Sequence, residues 1–239
     1  MIVVGGSWHH DRVIATAHDY TWFDEHFNAL SQGYCLTLVQ GMTAETLLAR
    51  LRATTEGFGP ARLGTLLETA MSGPRSGGYW DGALVGALTV EGWALLVEHT
   101  SGLGASSEVI TALSAGGRVV SHSRNVELAG RFFWADDGDL RLEFDPLLAY
   151  QRWGSDPDAL AGVMRQVGFD LTEPDDEDDE DLEDELDEDL DGDVCGVTLC
   201  QGATFALAEH LTGVRLTPEL LERSTYLVGL APDSASSWG

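Results

Sequence analysis

The chain has 239 residues, of which 44% are hydrophobic and 8% aromatic, so it can bury a core and is not a disordered protein. Its formal charge is −27, from 40 acidic and 13 basic residues. A surface this negative repels nucleic-acid phosphates and anionic membranes, and it attracts basic partners. The composition therefore predicts a protein that binds neither nucleic acid nor membrane.

The negative charge is concentrated in residues 173–193, which read EPDDEDDEDLEDELDEDLDGD and include no basic residue. Sixteen of the 40 acids lie in this acidic run, so the rest of the chain keeps 24 acids against 13 bases. Because the run offers little apolar area to bury, we expect it to be a mobile, disordered linker or insertion. The expected domains are an α+β body at 1–172, the acidic run, and a small helical segment at 194–239 that packs on the body.

Three features of the chain predict a reducing, cytoplasmic location. The cysteines, Cys35, Cys195 and Cys200, are odd in number and form no disulfide framework. The N-terminal residues lack the basic and apolar regions of a secretory signal. No stretch approaches the roughly 20 apolar residues of a membrane span.

The first predicted elements, in chain order, are a helix, a strand and two further helices. Aromatic and leucine residues at helical spacing predict a helix that begins after Asp19 and ends at Gly33. The apolar run 34–39, YCLTLV, is typical of a strand. Helices are predicted next at about 43–51 and 63–71.

Two hairpins dominate the middle of the chain. The first joins two apolar runs through Glu91-Gly92, and the second turns at Asp136-Asp137-Gly138-Asp139, since such residues favour tight turns. Helices are predicted after Ser106 and after Asp156-Pro157. The strands predicted in this part of the chain are 83–90, 93–97, 118–126, 131–134 and 140–144.

After the acidic run, the pattern predicts a helix over 205–213, a short helix that begins at Thr217-Pro218-Glu219, and a strand at 226–230. Helices and antiparallel hairpins alternate without βαβ regularity. The predicted fold class is therefore α+β, a twisted, mainly antiparallel sheet of about five strands with helices packed on one face.

Several stretches together resemble an uncharacterised actinobacterial domain family of unknown function. The resemblance covers most of the chain except the acidic run, and it implies no activity. It rests on DYTWFDEHFNALSQGYCLTLVQGMTAETLLARL (19–51), VEGWALLVEHTSGLGASSEVITALSAGGRVVSHSRNV (90–126), GDLRLEFDPLLAYQRWGSDPDALAGVMRQVGF (138–169) and ALAEHLTGVRLTPELL (206–221).

The most unusual strand segment is SHSRN at 121–125, because polar side chains fall on both faces where a half-buried strand should alternate. Glu98, just past a neighbouring apolar run, is expected to approach Arg124 across the sheet. Two interpretations remain open. Glu98, His122, Arg124 and Asn125 form a contact site or polar pocket, or the segment is an edge strand that polar residues protect.

The acidic run supplies the other predicted contacts. A basic partner would neutralise its charges and could fold the run on binding, whereas a solvated linker is the alternative. The partner-binding residues predicted here are Asp178, Asp181, Glu185 and Asp189.

No catalytic residue, metal site or cofactor is predicted, because nucleophile-elbow, P-loop and Rossmann motifs are absent and the histidines lack zinc-site spacing. The first hypothesis is a non-enzymatic cytoplasmic binding protein for a basic protein partner, such as an immunity protein that neutralises a cationic toxin. The alternative is an enzyme or small-molecule sensor with a polar pocket near Glu98, His122 and Arg124.

Overall fold

The computed structural model describes residues 14–31, 33–73, 82–99, 102–173 and 190–232. Within them, eight strands form one open antiparallel sheet with the order β7-β6-β5-β4-β1-β3-β2-β8. The strands are β1 (Tyr34–Gln40), β2 (Ala83–Val90), β3 (Trp93–Glu98), β4 (Arg118–Arg124), β5 (Gly130–Asp136), β6 (Asp139–Phe144), β7 (Arg152–Trp153) and β8 (Leu227–Ala231).

The helices of the described residues lie before, between and after these strands in the chain. Three short 3-10 helices cover Ala17–Tyr20, Leu103–Ala105 and Pro146–Leu148. The α-helices are α1 (Trp22–His26), α2 (Asn28–Ser31), α3 (Ala44–Arg50), α4 (Leu63–Ser72), α5 (Ser107–Leu113), α6 (Ala161–Val167), α7 (Leu190–Thr212) and α8 (Pro218–Arg223).

Both predicted hairpins are confirmed, and their turn residues explain them. Glu91 and Gly92 have φ values of 48° and 83°, and Asp137 and Gly138 have values of 50° and 83°. Two successive residues with positive φ define the tight turn that matches the twist of paired strands. The predicted first helix is wrong as one element, because Phe27 leaves the helical conformation (φ −115°, ψ 59°) and separates α1 from α2.

The sheet is covered by helices on both faces, so the expectation of helices on one face is wrong. On the first face, Leu36 of β1 belongs to the same core as Phe205 of α7. On the second face, Val39 packs with Leu47 of α3 and Ile110 of α5. We call these the α7 face and the α5 face. Strands buried on both sides need nearly continuous apolar runs, which is what ALVGAL in β2 provides.

The segment after the acidic run belongs to this sheet and core. β8 pairs with β2, and α7 supplies Phe205 and Leu207 to the core of the α7 face. α7 begins at Leu190, inside the run. The sheet has eight strands rather than about five, since the pairings β1–β3, β1–β4 and β2–β8 join strands that are distant in sequence into one sheet.

β4 carries the polar segment 121–125 up to Arg124, and it lies in the interior of the sheet between β5 and β1. The edge-strand interpretation of this segment is therefore wrong.

In the part of the chain that the structure describes, no helix is long and apolar enough to cross a membrane.

Candidate functional site

The structure separates the residues that the sequence analysis grouped. In the ladders, Cys35 of β1 faces Glu98 on one side and Ser123 on the other, whereas Tyr34 faces Arg124. Directly paired residues point to the same face, and successive residues point to opposite faces. Glu98 therefore lies on the α5 face and Arg124 on the α7 face, so the two cannot share a pocket.

Side chains of a contact surface should be exposed, but most of these side chains are not. Glu98, His122 and Arg124 are all buried, and Asn125 is exposed just beyond β4. The four acids predicted in the run, Asp178, Asp181, Glu185 and Asp189, lie outside the described residues.

On the α5 face, four buried side chains form a hydrogen-bonded group that we call the α5-face cluster: Cys35, Thr37, Glu98 and Ser121. The backbone N–H groups of Leu103 and Gly104 donate to the two Glu98 carboxylate oxygens, at 3.0 and 2.9 Å. The Ser121 hydroxyl donates to the Gly104 carbonyl at 2.7 Å, so the Thr37 hydroxyl, also 2.7 Å away, donates to Ser121.

This cluster is built around the absence of a side chain at Gly104. A Cβ there would lie 2.8 Å from Ser121 Oγ and closer still to Thr37 Oγ1 and Cys35 Sγ. Burial, and after it the charge of Glu98, raises the pKa of the Cys35 thiol well above its usual range. A buried, protonated thiol is a poor nucleophile, so the cluster is suited to holding the 3-10 helix at Leu103–Ala105 against the sheet.

On the α7 face, five side chains form a second group, the α7-face cluster: Asp24, Tyr34, His122, Arg124 and Gln201. Arg124 makes a bidentate ion pair with Asp24, with N–O distances of 2.6 and 3.3 Å. The Thr198 hydroxyl on α7 also donates to Asp24, at 3.3 Å. The ion pair thus connects β4 to α1 and α7.

His122 occupies the apolar part of this cluster. Its Nδ1 lies 3.2 Å from the Tyr34 hydroxyl, and its ring meets Phe205 edge-on with centroids 4.6 Å apart. Burial lowers the pKa of His122 to about 3 and raises that of Tyr34. His122 is therefore neutral at physiological pH, and its buried Nε2 has no hydrogen-bond partner among the described residues.

Gln201, a site residue that was not predicted from the sequence, is the member of this cluster that lies on α7. It is 5% exposed, and neither its Oε1 nor its Nε2 has a partner among the described residues. It lines a cleft, the Gln201 cleft, between the end of β4, the β4–β5 loop, the Pro146–Leu148 turn and α7. The cavity volume is about 20 Å³, which is room for about one water molecule.

The mouth of the Gln201 cleft carries exposed apolar side chains. Leu128 and Leu147, which line the cleft, are 42% and 43% exposed. Val126 and Leu148, next to them in the same two loops, are 70% and 42% exposed. Large apolar side chains that cluster in this way are typical of an interaction surface.

The sequence did contain a signal for Gln201. Val197, Gln201, Thr204 and Ala208 recur at helical spacing along α7, and Gln201 is the long polar residue among them. A long carboxamide in a stripe of otherwise small side chains needs hydrogen-bond partners if it is buried. Asp24 and Tyr34 gave no such signal, because α1 and β1 meet β4 only in the folded chain.

The described residues contain no group of three or more His, Cys, Asp or Glu side chains placed to hold a metal ion. They define a mixed α/β protein with an open antiparallel sheet between two helical layers and a small cleft at one end of β4.

The chain belongs to a Family of unknown function (DUF6461), whose family model matches residues 13–236. The expected membership in a family of unknown function is thereby confirmed. No curated protein and no solved structure matches the chain.

Proposed function

We propose that this protein is a non-enzymatic binding protein for a basic protein partner, which docks over the mouth of the Gln201 cleft. The observation that supports this proposal is the pair of exposed apolar side chains that line the cleft, Leu128 and Leu147, which are 42% and 43% exposed. An apolar centre with a charged surround is the usual composition of a docking surface between proteins.

We infer that the acidic run takes part in the same contact. It ends at Asp193, and Val197 of the same helix lines the cleft. Four helical residues span about 6 Å, so the α7 backbone at Asp193 is about one turn from Val197. A partner seated on the apolar side chains would meet this charge, which favours lysine and arginine around its own apolar centre.

The alternative function, a sensor or enzyme with a pocket near Glu98, His122 and Arg124, has less support. These residues lie on two faces of the sheet, and the cavity beside Arg124 has a volume of about 20 Å³. Pockets for small molecules usually measure roughly 300–1,000 Å³. Within our proposal, the protein acts in the cytoplasm, and neutralisation of a cationic toxin, as by an immunity protein, is a suitable role.

The proposal is tested by capture of partners from the native host with the parent chain and with two charge-insertion variants. Leu128→Lys places a positive charge at the cleft mouth and should abolish capture of the basic partner, because it removes an apolar contact and repels like charge. Met71→Lys is the matched control, because Met71 is also exposed (56%) but lies on α4 and does not line the cleft. Equal capture by all three chains would refute docking at this surface.

The charge part of the proposal is tested with the captured partner by titration at increasing salt. Affinity should fall steeply between low and physiological ionic strength, because exposed charges are screened. Deletion of 174–189 should weaken binding and flatten this dependence. A partner whose affinity ignores both salt and the deletion would show that charge plays no part.

A further inference from the structure

The edge strand β8 has one hydrogen-bonding position that no described residue fills. The loop 53–62 follows the free edge of β8 and pairs with it at two points, Thr54 with Leu230 and Ala61 with Tyr226. At each point the two residues exchange backbone hydrogen bonds of 2.8 to 3.0 Å.

Val228 lies midway between these two points. In an antiparallel strand, alternate residues direct their N–H and C=O to the same side. Since Tyr226 and Leu230 direct theirs to the loop, Val228 does the same, away from β2. The loop bends outward opposite Val228, through a turn in which the Phe58 N–H donates to the Thr55 carbonyl at 3.1 Å. No hydrogen bond among the described residues reaches these two Val228 groups.

A cavity occupies the space between Val228 and the loop, with a volume of about 400 Å³. That volume is within the roughly 300–1,000 Å³ of ligand sites. We call it the β8-edge cleft, and its lining includes Glu45, Ala49, Thr55, Phe58, Pro60 and Val228. Among the described residues that line it, Glu45 is the charged one.

We propose that the β8-edge cleft binds a short extended peptide segment, whose central residue exchanges hydrogen bonds with Val228. The N–H and C=O of one residue in a strand are complementary to those of one other extended residue, and this is how peptides add to sheet edges. Glu45 selects a basic side chain over an acidic one at this segment.

The length of the segment follows from the two flanking pairs. Thr54 and Ala61 already occupy the strand positions on either side, so the bound segment cannot continue as a strand. It enters and leaves toward solvent after about three residues, because every second residue of a strand bonds to the same neighbour. The site is separate from the Gln201 cleft, and the inference does not rest on the proposed function.

The test uses three tripeptides as probes and follows the backbone amide of Val228 by NMR. Acetyl-Ala-Lys-Ala-amide should shift the Val228 amide resonance and slow its hydrogen exchange. The analogue with an ester in place of the central N–H should bind about tenfold more weakly, because it lacks one hydrogen bond. Acetyl-Ala-Glu-Ala-amide should also bind more weakly than the lysine peptide.

Two variants decide whether binding occurs at this position. Val228→Pro removes the N–H that faces the loop but no bond to β2, and Pro is tolerated on edge strands. Ala49→Trp fills the cleft from the exposed surface of α3 and leaves β8 unchanged. Because Val228→Pro has no amide at position 228, its response is followed at the amides of Leu227 and Gly229. Each folded variant should lose the response to the lysine peptide. The inference is overturned if no tripeptide perturbs Val228, if the ester binds as well as the amide, or if both variants bind like the parent.

Discussion

The two faces of strands β1 and β4 carry similar numbers of buried polar side chains, but the faces differ in how many of these polar groups have hydrogen-bond partners. In the α5-face cluster, the Glu98 carboxylate, the Ser121 hydroxyl and the Thr37 hydroxyl are connected through two backbone N–H groups and one carbonyl. In the α7-face cluster, the Gln201 carboxamide and His122 Nε2 lack partners among the described residues. We call the α5 face saturated, because the polar groups of such a network all have partners and together stabilise a single structure. Unpaired buried groups, as on the α7 face, lower the free energy of unfolding and remain free to bind another hydrogen-bonding group.

The largest effect is expected on the saturated face. Glu98→Ala should lower the free energy of unfolding by about 4 kcal/mol, because two charge-assisted hydrogen bonds are lost and two buried N–H groups stay unpaired. Glu98→Gln is the control, since it keeps one acceptor and should lose about half as much. Urea denaturation measures both values. Similar, small losses in the two variants would show that the cluster is not a stabilising element.

Arg124→Ala should lower the free energy of unfolding by about 3 kcal/mol, because it leaves the partly buried Asp24 without its ion pair. The double variant with Asp24→Ala should lose less than the sum of the two single variants, and this coupling measures the pair. Additive losses would indicate that Arg124 acts through packing alone.

His122 predicts a pH dependence of stability. Its pKa is lowered from 6.5 in the unfolded chain to about 3 in the fold. The unfolded state therefore binds the proton first as pH falls, and stability is lost between pH 6.5 and 3, by about 2 kcal/mol at pH 5 relative to neutral pH. His99 and His210, whose pKa values burial also lowers, add in the same direction.

His122→Gln isolates this contribution, because it cannot protonate but keeps a hydrogen-bonding group beside Tyr34. Denaturation at pH 7.5 and pH 5 should show a smaller difference for the variant than for the parent. An unchanged difference would mean that His122 is not held neutral.

A matched pair of substitutions compares the two faces directly. Thr37→Val removes a hydroxyl from the saturated cluster and should destabilise by about 1 kcal/mol. Gln201→Leu replaces the unpartnered carboxamide with an apolar group of similar shape and should be neutral or stabilise by up to about 1 kcal/mol. Thermal or urea melts of both variants test the signs, and destabilisation of equal size would remove the distinction between the faces.

The smallest effect on stability is expected from deletion of residues 174–189. These residues have little apolar area to bury, so the thermal midpoint should stay nearly unchanged. The deletion stops before Leu190, where α7 begins, so that it leaves this helix intact. A large drop in the midpoint would show that the acidic run is a structural element.

Local sequence patterns predicted the parts of the fold that local chemistry determines. The predictions of hairpin turns at Glu91-Gly92 and Asp137-Gly138, and of helix starts at Ser106 and Thr217, were correct because their signals lie within four residues. The two-residue strand β7 gave no periodicity, and it was missed.

The candidate site was harder to predict, because it depends on contacts between distant segments. The polar residues at 121–125 correctly indicated that this strand differs from an ordinary half-buried strand. The reason is that an interior strand carries a buried polar cluster on each of its faces. The partner of Arg124 is Asp24, about 100 residues earlier in the chain. No spacing rule connects such residues, and the face of the sheet to which Glu98 points follows only from register.

The position of β8 has a consequence for the growing chain on the ribosome. β2 is synthesised long before its outer neighbour, which consists of residues 227–231. Since the ribosome adds about 5–20 residues per second, the outer edge of β2 stays unpaired for on the order of 10 seconds before β8 is synthesised. During this time an apolar strand, ALVGALTV, has one unpaired edge, which is a template for association between nascent chains. The acidic run is synthesised within this interval, and its charge gives neighbouring nascent chains a mutual repulsion before the sheet is complete.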